Sequence, residues 1–297
     1  MFITKIVTSL LLLLFKPTYQ CKVLSLSGGG SYGAFEMGIV SKLIDSKNGG
    51  WDLITGVSAG SINAGFLSTI DKYNEANYTN IIKDLWLSTT NSQVYSNIFF
   101  INGISLYQTK PLQNTLNKLF FNKIPIRPLI VSATSLKNSN ATHFYTNDFK
   151  KFGFTNIIMA STAIPILFPP FEFNNDIYVD GGITSNILIY EGIQFCIDNF
   201  PDEHIYIDVI ICGKQIDFDN INNLNFITLL NKLFNIIKQQ IEYFQIEDQI
   251  PFTTQKIKIN IYQQKFSRSI ALTDFTQSKL LWDDGYTFQN VKITNLK

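Results

Sequence analysis

Ser58 lies within Gly56-Val57-Ser58-Ala59-Gly60, a G-x-S-x-G run between an apolar stretch and a series of small residues. That setting is what a nucleophile elbow needs: a turn tight enough to strain the serine backbone, with flanking positions where side chains would clash. The turn would lift the hydroxyl above a sheet at a helix N-terminus, where the helix dipole favours developing negative charge. A second run, Ser27-Gly28-Gly29-Gly30-Ser31-Tyr32-Gly33, also sits between apolar segments. Its unhindered backbone N–H groups could cradle an anion, either an oxyanion in acyl transfer or a phosphate. A third, Asp180-Gly181-Gly182, follows Ile177-Tyr178-Val179. A carboxylate there, beside two glycines, can approach a hydroxyl without obstruction. Each motif also has a plain reading: a serine turn, a glycine turn, an Asp-Gly turn. Gly28, Gly30 and Gly33 further satisfy the dinucleotide pattern G-x-G-x-x-G. The acidic residue expected at the end of the second strand is missing, because Asp52 begins that strand and Gly56 and Ser58 end it.

The elements that must position these residues alternate. Lys22–Ser27 and Asp52–Thr55 read as strands, with helices over Ala34–Asp45 and from Ala59 to about Ile70. Ile82–Ser88 and Pro111–Leu119 follow as helices, and Arg127–Ala133 as a strand. Asn156–Thr162 is helical, Ile177–Val179 is a strand, and Ile205–Ile211 is a near-continuous apolar run of the kind found in buried parallel strands. Alternation of this type predicts an α/β fold, a largely parallel sheet covered on both faces. Phe226–Ile246 has apolar residues at Phe226, Leu230, Leu233, Ile237, Ile241 and Phe244, the pattern of an amphipathic helix packed on the sheet. Lys232, Lys238, Gln239 and Glu242 are then expected on its outer surface, and a membrane- or partner-contacting helix is the alternative.

Composition narrows the function classes. The 297 residues are 45% hydrophobic and 16% charged, too apolar for a disordered chain. A net charge of +1, from 24 basic and 23 acidic residues, provides no field for nucleic acid. Cys21, Cys196 and Cys212 are odd in number and lack C-x-x-C spacing, so neither a disulfide framework nor a zinc site is expected. His143 and His204, the only histidines, read as surface-loop residues, which puts metal chemistry built on several His ligands out of reach and argues against a catalytic histidine. Residues 1–20 read as a signal peptide or a hydrophobic anchor. Lys5 precedes the apolar run Ile6–Phe15, whose ten residues are too few to span a hydrocarbon core of about 30 Å. The expectation is a secreted or membrane-associated protein, with a cytoplasmic one as the alternative.

Taken together, the three ordered motifs resemble the patatin-like phospholipase family, whose marks are G-G-G-x-x-G, G-x-S-x-G and D-G-G. Ala160-Ser161-Thr162-Ala163-Ile164-Pro165 with Phe168-Pro169-Pro170 is similar to the stretch before the family's aspartate, and Leu106–Leu119 and Thr273–Tyr286 are similar to its middle and closing segments. The resemblance implies a three-layer α/β/α hydrolase domain over residues 21–297. It implies cleavage of fatty-acyl esters through a Ser–Asp dyad: Ser58 as nucleophile, Asp180 as general base, the N–H groups of Gly29 and Gly30 as oxyanion hole, and an acyl-enzyme on Ser58. Gly28, Gly33, Gly56, Gly60, Gly181 and Gly182 complete the motifs. No cofactor or metal is implied, and the partner is a lipid at a membrane or micelle surface. Two positions depart from the family: Tyr32, where Arg or Lys is frequent, and Ile187, where Pro often follows the Asn at 186. Phe168, Pro169, Pro170, Phe171 and Ile98–Ile101 could line an acyl cleft. A lipid-binding or storage protein with idle catalytic residues and a lipid acyltransferase are the rival functions.

Overall fold

The structure is a computed structural model that describes residues 19–97, 103–212, 226–247, 250–251, 253–264, 266 and 270–296. The expected signal peptide or anchor lies outside these residues apart from its last two, and so does Ile98–Ile101. Tyr19 and Gln20 belong to the folded domain: Gln20 opens the first strand, and Tyr19 stacks on Phe200.

Nine strands form one mixed sheet among the described residues. They are β1 (Gln20–Leu26), β2 (Leu53–Val57), β3 (Leu129–Ser135), β4 (Asn140–Tyr145), β5 (Phe171–Phe173), β6 (Asp176–Asp180), β7 (His204–Ile211), β8 (Ile257–Gln263) and β9 (Val291–Leu296). The order is β9-β8-β7-β1-β2-β3-β6-β5, with β4 also paired to β3. The five central strands from β8 to β3 are mutually parallel. Strands β4, β5, β6 and β9 join by antiparallel pairing.

Successive side chains of a strand point to opposite faces, so one strand feeds two cores. Leu24, Leu26, Ile54, Leu129, Val131 and Ile210 enter the larger one. Val23, Leu53, Val57, Ile130, Ile207 and Ile259 enter the other. The large core is covered by α1 (Gly33–Asp45), α2 (Ala59–Ser68), α3 (Thr79–Ser88), α4 (Lys110–Leu119) and α5 (Phe154–Ser161). The other is covered by α6 (Ile189–Asn199) and the end of α7 (Phe226–Glu247). The expected α/β/α layering is therefore present. A last helix, α8 (Ser278–Tyr286), packs on α1.

Three expectations need correction. Cys21 and Cys196 form a disulfide, with Cα atoms 5.8 Å apart and a separation of 175 positions in sequence. Parallel pairing of β1 with β7 brings α6, the connection into β7, back over the start of β1, a closeness that cysteine spacing does not reveal. Neither histidine lies in a loop. His143 is in β4 opposite Ser132, half-buried, with Nε2 3.1 Å from Glu191, and His204 begins β7. The third correction concerns α7, which is turned over relative to the amphipathic reading. Lys238 and Glu242 are buried, whereas Leu233, Ile237 and Phe244 are 47%, 44% and 50% exposed.

Candidate active site

Strand β3 acts as the template for the site. Parallel pairing sets Val57, the last residue of β2, against Ser132. Along the same strand, antiparallel pairing sets Asp180, the last residue of β6, against Ala133. Strands β2 and β6 thus arrive from opposite directions and end at consecutive positions of β3. The residue after Val57 is Ser58, and its Oγ donates to Asp180 Oδ2 at 2.5 Å, although 122 positions separate the two in sequence.

The turn at Ser58 is strained as the motif required. Its φ of 53° and ψ of −123° lie in a region non-glycine residues avoid, at a typical cost of about 1–3 kcal/mol. The surroundings hold it there. Ser161 Oγ accepts from Ser58 N–H at 2.8 Å and donates to Ser132 O at 2.6 Å. Ser61 Oγ donates to Ser58 O at 2.5 Å. A Cβ on Gly56 would sit 2.3 Å from Gly60 O, and one on Gly60 2.5 Å from Leu26 O, so neither position admits a side chain.

The glycine loop after β1 crosses beside this turn. Gly28 N–H donates to Asn186 Oδ1 at 3.1 Å, Ser31 N–H to Leu272 O, and Tyr32 N–H to Gly29 O. Among the described residues, no such partner takes the N–H groups of Gly29 and Gly30. Gly30 has φ +57°, and a Cβ there would meet Leu272 O at 2.2 Å. Gly33 begins α1. Tyr32 points into the core, its ring edge-on to Phe266 and its hydroxyl donating to Ile270 O. At Asp180, Gly182 N–H donates to Oδ1 at 2.8 Å, and Gly181 follows the strand without a side chain.

Asp180 is fully buried. Burial pushes its carboxyl up to about 6, against the opposing pull of the Ser58 hydroxyl, the Gly182 N–H and the charge of Lys238. Such a group is anionic at neutral pH yet far more basic than an exposed aspartate, which suits proton abstraction. Ser58 and Gly30 open onto a narrow apolar cavity of about 60 Å³ walled by Leu85, Trp86, Leu112, Leu116, Ile164 and Phe168. Its lining suits a hydrocarbon chain. Of the residues expected to line a cleft, Phe168 does so; Pro169, Pro170 and Phe171 do not belong to this wall. Among the described residues, no group of three or more His, Cys, Asp or Glu side chains is arranged to hold a metal.

Residues 24–193, more than half of the chain, match the family described as patatin-like phospholipase. The chain belongs to the patatin-like phospholipase family. An uncharacterized protein of Acanthamoeba polyphaga mimivirus is 26% identical over 179 residues, 56% of this chain and 60% of that protein. A protein of Invertebrate iridescent virus 6 named "Probable lipid hydrolase" is 27% identical over 194 residues, 61% of this chain and 66% of that protein. The matches therefore span less than two thirds of these relatives. VipD from Legionella pneumophila aligns in structure over 94% of this chain and 68% of its own, at 11% identity and a TM-score of 0.40. All three patatin-like motifs fall inside the family match, and the site contains polar partners the motif reading did not single out: Ser161, Asn186 and Lys238. Ser161 and Asn186 stood in or beside family-like segments. Lys238 was hidden in an amphipathic pattern that placed it outside.

Proposed function

We propose that this chain is a serine acyl hydrolase that cleaves fatty-acyl esters through a Ser58–Asp180 dyad and an acyl-enzyme. The observation that carries the reading is the 2.5 Å contact between the Ser58 hydroxyl and a buried carboxylate at the mouth of an apolar cavity. Asp180 accepts the proton as Ser58 Oγ attacks the ester carbonyl. The N–H groups of Gly29 and Gly30 receive the developing oxyanion, a service in which loss of one donor typically costs about 10²–10³ in turnover. The proton then passes to the departing alcohol, leaving the acyl group on Ser58. Asp180 next deprotonates a water, which releases the fatty acid and restores the serine.

The apolar wall from Leu85 to Phe168 suits the acyl chain better than a head group, and supports a lipid substrate. Outside the dyad, Leu229, Leu233, Ile236, Ile237, Tyr243 and Phe244 form an exposed stripe on α7, the helix packed against Gly28 and Gly181–Ile183. An apolar surface beside the catalytic loops supports work at a membrane or micelle. The Cys21–Cys196 disulfide is the chemistry of an oxidising compartment, and favours a secretory route over a cytoplasmic one.

Fatty-acid release from phosphatidylcholine, lysophosphatidylcholine and monoacylglycerol tests the proposal. Ser58→Ala and Asp180→Asn are expected to lower release by about 10³-fold or more while remaining folded. Undiminished release by either folded variant would overturn its assigned role. Lipid binding without release by the wild type would support the storage reading instead.

A further inference from the structure

Lys238, Glu242 and Gln245 of α7 are spaced by four and three and share one buried helix face, with 1%, 3% and 6% exposure. Burying a charge this completely costs several kcal/mol unless hydrogen bonds compensate, and the bonds found here converge on Gly28. Lys238 Nζ donates to Gly28 O at 2.6 Å and also to Cys212 O, and lies 3.8 Å from Glu242 Oε1. Glu242 Oε1 accepts from Asn186 Nδ2, and Asn186 Oδ1 accepts from Gly28 N–H at 3.1 Å. Gln245 Oε1 accepts from the N–H groups of Asn186 and Ile187 at 3.1 and 3.0 Å, and its Nε2 donates to Ser185 Oγ at 2.7 Å. A closed polar ring therefore holds both the carbonyl and the N–H of Gly28, and ties the glycine loop to the chain just beyond Asp180.

The Gly28 carbonyl and the Gly29 N–H belong to one planar trans peptide and point in opposite directions. An ammonium bonded to the carbonyl fixes the direction of that N–H and polarises it as a donor. We propose that Lys238 is a positioning residue for acyl transfer: from behind the Gly28–Gly29 peptide it aims the Gly29 N–H at the developing oxyanion, and Glu242 with Asn186 keeps it there. This role rests on the hydrolase reading above.

Lys238→Met leaves two carbonyls and a carboxylate without their cation and is expected to lose stability. Lys238→Met/Glu242→Leu replaces the buried charges with apolar groups and is expected to recover part of it, since no carboxylate is then left buried without its cation. Steady-state kinetics of the full chain on p-nitrophenyl butyrate, with hydrogen exchange of the Ser27–Gly33 loop and urea denaturation, provide the test. Both variants should lose roughly 10–100-fold in kcat with KM changed by less than about threefold, the mark of a contact made only in the transition state. The loop should exchange faster in both while β3 stays protected. A double variant that regains stability and full kcat together would overturn the proposal, and so would unchanged loop exchange. Wild-type hydrolysis no faster than that of Ser58→Ala would instead remove the hydrolase reading. Loop exchange would then decide alone whether the ring holds the glycine loop.

Discussion

On the proposed mechanism, Asp180 is a carboxyl that does a histidine's work. With its acidity moved to about 6 by burial, it retains the anionic form at neutral pH. Turnover should therefore fall as pH drops through about 6, tenfold per pH unit below it. A profile of kcat/KM on a soluble ester checks this, and a flat profile down to pH 4 would contradict it. A second buried carboxyl, Glu36 in α1, accepts from Asn63 Nδ2 at 2.7 Å, and burial pushes it up to about 8. The folded state then holds a proton that the unfolded chain, with its carboxyl near 4.5, gives up. Stability from this group is intact below about 4.5 and is lost as pH rises towards about 8, and Asp180 adds the same sign between 3.8 and about 6. Glu36→Gln should flatten the fall in melting temperature between pH 5 and 8, as a set of thermal scans across that range would show; an unaltered slope would contradict the account. At this scale the sequence was most legible where a motif is short and local. Ser58 and Asp180 could be read because glycines frame them. Lys238, Glu242 and Asn186 could not, because a buried polar residue with good partners has the same letter as a solvated one. The signal that was available is the second periodicity in α7, with Lys238, Glu242 and Gln245 spaced by four and three opposite the apolar stripe.

Among the elements, β3 contributes most to the site without supplying a reactive group. Its register against β2 and β6 converts a long sequence separation into direct contact. The helices α1 and α2 and the strands β1, β2 and β7 were all legible from apolar periodicity. Others were not. β8 alternates, with Ile257, Ile259 and Ile261 buried around an exposed Lys258, a pattern that short polar segments on either side obscured. Helix α6 carries Gly192 at its centre, packed against Val23, and glycine weakens a helical reading. The disulfide belongs to the same scale, for it joins α6 to β1. Cross-linking across 175 residues restricts the unfolded chain, and its loss typically costs about 2–5 kcal/mol. Cys21→Ser should lower the urea midpoint accordingly while the folded protein keeps its rate of ester hydrolysis, since Cys21 lies at the start of β1 and Ser58 follows the end of β2. Equal midpoints for the variant and the oxidised wild type would contradict this.

For the whole molecule, composition set the limits before any motif was read. A near-neutral, apolar-rich chain of 297 residues can sustain two cores on either side of a sheet, and that is the architecture found. The glycine loop leaves the end of β1, Ser58 the end of β2 and Asp180 the end of β6, so one rim of the sheet gathers the proposed nucleophile, the proposed base and the Gly29 and Gly30 amides. On the proposed mechanism, Ser58 alone becomes a nucleophile at that rim. Reaction of the intact chain with a fluorophosphonate, followed by peptide mapping by mass spectrometry, tests it most directly. The account predicts a single adduct on Ser58 whose formation rate declines below about pH 6, in step with Asp180. An adduct on another residue, or an unmodified Ser58 in folded protein, would contradict it.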